Sequence, residues 1–133
     1  MKKIYRIIFL ILFLTITSNV KGRTLDDVIE RGFLKCGIST ELIGFATLND
    51  KAEWSGFDVD LCRAVSAAVF GDSNKVEYIT TTTRSRFPIL ASGEVDLLAR
   101  NTTWSFSRDV NLGFEFVGIN FYDGQGFMVP KSF

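Results

Sequence analysis

The run GFDVDLCRAVSAAVF at 56–70 has helical periodicity, and it lies between two short apolar runs, FLKCGI at 33–38 and VEYIT at 76–80. Two apolar strands joined through a helix with short returns read as a parallel crossover, because a hairpin needs only a tight turn. Leu61, Cys62, Val65, Ala68 and Val69 share one face of the helix. Asp58 and Asp60 sit near its start, where the helix dipole favours negative charge, and Gly71 closes it. The pattern then repeats. A short helix carrying Pro88 begins near Phe87 and ends at Gly93, and VDLLA at 95–99 reads as a third strand. Upstream, Thr24 with Asp27 three positions on opens a helix that Gly32 closes, with Leu25, Val28 and Ile29 on its apolar side. Residues 39–55 have no sustained periodicity and read as a loop. Phe114–Phe116 and Gly126–Val129 are further strand candidates. The fold class is therefore α/β, a mainly parallel sheet flanked by helices. In such sheets ligands bind beyond the carboxyl ends of the strands. The loop from Ser39 leaves one such end, and RNTTWSFSR at 100–108 leaves another.

The first 22 residues are different in kind. MKKIYR is a basic head, IIFLILFLTI at 7–16 an apolar run of ten, and TSNVKG a polar exit. That is the layout of a secretory signal peptide, too short for a comfortable membrane span. An uncleaved anchor or a buried helix is the competing reading. Lys2, Lys3, Arg6 and Lys21 fall in this segment, and without them eleven basic residues face fifteen acidic ones. No basic cluster survives there, so nucleic acid is excluded as a partner. Export to an oxidising compartment leaves two readings for Cys36 and Cys62: a disulfide, or two small buried hydrophobes. With two cysteines and no histidine, no metal site is expected.

Catalysis needs a nucleophile with a base, a tuned acid/base pair or a metal. Histidine is missing, and Asp58 and Asp60 diverge by about 200° around a helix. No glycine-rich dinucleotide or phosphate loop is present. The chain reads as no enzyme and as needing no cofactor. RNTTWSFSR suits recognition of a small zwitterion instead. Arg108 can clamp a carboxylate through two parallel charge-assisted hydrogen bonds, with the Thr103 hydroxyl joining it. Backbone carbonyls near Asn101 can accept from an ammonium. The competing reading is a solvated loop whose Arg108 pairs with Asp109 or Asp96.

GFDVDLCRAVSAAVF, RSRFPILASGEVDLLARNTTWSFSRD and FYDGQGFMVP together resemble the periplasmic amino-acid-binding proteins of ABC transporters, solute-binding protein family 3, in its general or polar L-amino-acid branch. The resemblance runs from about Thr24 to Pro130. It implies a type II periplasmic-binding-protein fold of two hinged lobes, an L-amino acid bound between them, and a membrane permease as the docking partner of a monomeric periplasmic carrier. It gives Arg108 the ligand α-carboxylate, Thr103 the supporting hydroxyl, and Asn101 a part in fixing the α-ammonium. Leu42 stands where relatives often carry an aromatic ring over the ligand side chain. Trp104 either walls the pocket or packs under the sheet.

Family members are usually twice this length or more, so residues 23–133 are expected to form one incomplete lobe with the second absent. A one-walled cleft leaves roughly half of a ligand wet, and good sites bury most of it. The expectation is a truncated or vestigial carrier with weak or no binding alone. The alternative is a docking or sensor fragment that meets a permease or signalling partner without ligand.

Overall fold

The computed structural model describes residues 23–40 and 42–132. The signal-peptide reading of residues 1–22 lies outside them. The chain divides into two compact units, Met1–Arg100 and Asn101–Phe133.

The first unit opens with α1, Arg23–Arg31, which has Asp26 in its first turn and Arg31 in its last, both matched to the helix dipole. Thr24 therefore lies inside the first turn, one residue past the observed start, and Gly32 closes the helix as expected, its N–H bonding Val28 O at 3.0 Å. The apolar side proves narrow: Val28 is buried, while Leu25 and Ile29 are each 55% exposed.

β1, Leu34–Ile38, is the central strand, and four of its five residues are buried. The loop after it holds structure that the sequence reading lacked. Leu42 bridges Ala46, and β2, Thr47–Leu48, pairs antiparallel with β3, Trp54–Ser55. Asn49 makes the turn between those strands, its Oδ1 accepting the N–H groups of Lys51 and Glu53 at 2.9 Å each.

Helix α2, Phe57–Phe70, lies between Gly56 and a left-handed Gly71. Gly56 has φ 127°, and a Cβ there would sit 2.4 Å from Phe45 O, so no other residue fits. The buried face is Asp58, Val59, Cys62 and Ser66, flanked by half-buried Leu61, Val65 and Val69. Ala68, expected on that face, is exposed. β4 is Val76–Thr80, α3 is Arg86–Ala91, and β5 is Leu97–Leu98. α3 starts one residue before the expected Phe87, which places Pro88 in its first turn. β5 is shorter than 95–99, yet Asp96 N–H and Ala99 N–H still bond Lys35 O and Gly37 O at 2.9 Å each.

The strand order is β4-β1-β5, all parallel, with Leu34 opposite Val76 and Cys36 opposite both Tyr78 and Leu97. Val28, Leu34, Cys36, Ile38, Ala46, Val59, Cys62 and Ala99 form the core. Cys36 and Cys62 are disulfide-bonded, which resolves the two readings of the pair in favour of the staple.

In the second unit a π-helical turn, Ser107–Asn111, is the regular element described. Phe114–Phe116 and Gly126–Val129 are not strands. An apolar run becomes a strand only where it can pair its backbone and cover one face. Here Val117 and Tyr122 are 84% exposed and Phe127 and Met128 fully so, so these side chains cover no face.

Candidate functional site

The carboxyl ends of the three parallel strands are tied by side chains. Thr81, one residue beyond β4, bonds Ile38 O at the end of β1 through its N–H (2.8 Å) and its Oγ1 (3.1 Å). Arg100, just beyond β5, donates Nη1 to Thr81 O at 2.5 Å and to Thr81 Oγ1 at 3.0 Å. All three residues are buried. Asp58, in the first turn of α2, is 2% exposed, and its Oδ2 has no hydrogen-bond partner among the described residues. Burial pushes the Asp58 carboxyl above its ordinary range, and the Arg100 charge partly offsets this. Sequence reasoning treated Asp58 and Asp60 alike. Asp60 is exposed and pairs with Arg63 at 3.1 Å, whereas Asp58 is an interior charge. It also passed over Arg100 and Thr81; the available signal was a cation directly after an apolar strand run.

Leu42, half-buried, belongs to the turn that follows β1. Its carbonyl accepts the N–H groups of Phe45 and Ala46 at 3.1 Å each.

Asn101, Thr103, Trp104 and Arg108 belong to the second unit. Ser105 O accepts the N–H groups of both Arg108 and Asp109 at 3.0 Å, a shared acceptor at the start of the turn. Arg108 Nη1 donates to Thr103 O at 2.7 Å, so the guanidinium and Thr103 meet across five positions. Of the two acids considered as partners for Arg108, Asp96 accepts from Arg31 and from Lys35 N–H, and Asp109 accepts from Trp104 Nε1 at 3.0 Å. Trp104 stacks on Phe116 with ring centroids 5.4 Å apart and planes within 8°, and remains 45% exposed. Asn101 and Thr103 are exposed. Thr102 holds a buried hydroxyl without a hydrogen-bond partner among the described residues, a feature that nothing in the sequence pattern signalled.

The sequence profile of the bacterial extracellular solute-binding proteins, family 3, matches residues 34–132. The chain is 53% identical over 115 residues to the General L-amino acid-binding periplasmic protein AapJ of Rhizobium johnstonii, covering 86% of this chain and 34% of that one. It is 53% identical over 117 residues to the Glutamate/glutamine/aspartate/asparagine-binding protein BztA of Rhodobacter capsulatus, covering 88% and 35%. A solved periplasmic binding protein of an ABC transporter from Brucella ovis, with glutathione bound, superposes with TM-score 0.75 at 61% identity, covering 77% of this chain and 32% of that chain. The chain thus spans about a third of the length of the relatives it matches.

Proposed function

This chain belongs to family 3 of the bacterial extracellular solute-binding proteins, and from that premise we propose that it carries the ligand-gripping segment of the amino-acid-binding component of an ABC importer. Its fold is of the type II periplasmic-binding-protein kind, a partial lobe with a parallel sheet flanked by helices. The observation that carries the reading is the 2.7 Å bond from Arg108 Nη1 to Thr103 O. It holds the planar guanidinium against the Thr103 backbone, and an arginine with a threonine in one short segment is a donor set that suits an α-carboxylate. Asn101, two residues before Thr103, takes the α-ammonium.

The names of the relatives support a head-group clamp. One is named for L-amino acids in general, one for four acidic and amide amino acids, and one holds glutathione. Glutathione carries a free α-amino acid head on its glutamyl residue, so all these ligands share an α-ammonium and an α-carboxylate and differ elsewhere. Within the second unit, the exposed Trp104 ring offers a wall beside the Arg108 and Thr103 pair. Export by residues 1–22 to the periplasm and delivery to a membrane permease complete the proposal. Residues 23–133 taken alone supply one wall, leave the ligand partly wet, and bind it weakly, because water weakens the ion pairs of the clamp.

Calorimetric titration of purified residues 23–133 with a panel of L-amino acids tests this. Saturable millimolar-or-tighter binding that Arg108→Ala abolishes is the expected result. Absence of heat from a chain that keeps its far-ultraviolet circular dichroism overturns it and favours a docking piece that works without ligand.

A further inference from the structure

The strap across the strand ends has a chemistry that stability alone does not explain. A guanidinium 8% exposed and a carboxylate 2% exposed are both held in the interior of a small unit. Removing two charges from water is costly, and well-packed apolar residues often serve stability as well or better. What the arrangement supplies is geometry. Arg100 stands beyond one edge strand and bonds the residue beyond the other edge strand, while that residue bonds the end of the central one. Three strand ends are thereby fixed by directional bonds, and the chain passes directly from Arg100 to Asn101.

We propose that Arg100 is a positioning residue for amino-acid binding: its bonds to Thr81 hold in place the residue to which Asn101 is joined, with Asp58 as its buried counter-charge. The inference rests on the amino-acid reading above. It assigns Arg100 no contact with the ligand. Its effect therefore falls on the shared head group and is the same for every ligand, whatever the side chain.

The test compares Arg100→Met and Arg100→Lys with the unaltered chain. Affinity for glutamate, glutamine and alanine is read by calorimetry and the melting temperature by circular dichroism. Arg100→Met weakens all three ligands by a common factor of about tenfold to a hundredfold, the scale on which small misplacements of positioning groups act. Arg100→Lys, which keeps a charged donor for Thr81 O, recovers part of that loss. A drop in melting temperature with affinities unchanged overturns the positioning role and leaves the carrier reading intact. A loss confined to glutamate shows direct contact with an acidic side chain and also overturns it. If Arg100→Met does not fold, the folded Arg100→Lys and Thr81→Val chains decide, since each removes part of the strap and must weaken all three ligands alike. An unaltered chain that binds none of the three overturns this inference together with the proposed function.

Discussion

Cys36 and Cys62 join the middle of the central strand to the second turn of α2, with Cα atoms 6.2 Å apart and neither residue exposed to solvent. The bridge closes a loop of 26 residues, which removes entropy from the unfolded chain worth about 3.5 kcal/mol on the chain-entropy account. That is a large part of the stability of an ordinary domain. Replacing both cysteines by alanine, or unfolding in the presence of a strong reductant, lowers the urea midpoint by the equivalent of about 3 kcal/mol. Equal midpoints for oxidised and reduced chains would mean that the packing around Val59 and Ile38 already holds α2 in place without the bridge.

Asp96 serves two masters at the amino end of β5. Its Oδ2 accepts from Arg31 Nη2, at the end of α1, and from Lys35 N–H in β1 at 2.8 Å, and its side chain is 8% exposed. Asp96→Ala removes the one oxygen that serves a partly buried cation and a strand N–H, and costs about 2–3 kcal/mol. Asp96→Asn keeps an oxygen there, loses only the charge and costs less. Chemical denaturation of the two variants gives the order. A neutral Asp96→Ala would show that water satisfies both donors.

The elements that could be read from the sequence are those whose pattern is complete within themselves. GFDVDLCRAVSAAVF carries its own boundary glycines and its own apolar stripe, and the strands VEYIT and LKCGI are short apolar runs with turn residues around them. The β2–β3 ribbon escaped because two-residue strands have no period to detect; its signal was the turn chemistry of Asn49. Phe114–Phe116 alternates and Gly126–Val129 is a short apolar run, but a strand also needs a neighbour, and pairing is not written in the run itself. At the candidate site, Arg108 and Thr103 were legible as donors, and their meeting through the Thr103 carbonyl is a structural fact. The interior positions of Asp58 and Arg100 were not legible, since charged residues are presumed solvated until the fold places them.

Gly37 lies mid-strand in β1, with both neighbouring strands close. A Cβ there would meet Leu98 Cδ1 at 3.0 Å, Thr81 Cγ2 at 3.3 Å and Val95 Cγ1 at 3.4 Å. All three are side-chain atoms, so Gly37→Ala folds after small shifts at a cost of about 1–3 kcal/mol for overpacking. Thr81 is also the residue that Arg100 straps, so the shift reaches that network. Gly37→Ala with Leu98→Ala in the same chain relieves the tightest contact and shows a non-additive total, read by urea denaturation as a coupling term. Strict additivity would place the cost elsewhere than in the Leu98 contact.

Asp58 makes stability depend on pH in a direction opposite to most carboxylates. Burial is the larger influence on it and raises its pKa above the ordinary 3.8, with Arg100 acting the other way. For an acid whose pKa is higher in the folded chain, the folded state binds the proton more tightly than the unfolded state does. Its contribution is then fully present below the unfolded pKa and is lost as pH rises through the folded pKa. At neutral pH the ionised Asp58 is therefore a net burden, and protonation relieves it. Other carboxylates titrate in the same range, so the quantity to follow is the difference in unfolding free energy between the unaltered chain and Asp58→Asn. Moving from neutral pH toward pH 4, the unaltered chain gains on the variant. A difference that is flat across that range, or that moves in the variant's favour as the solution is acidified, would mean that Arg100 outweighs burial and that the pair is a stabilising bridge.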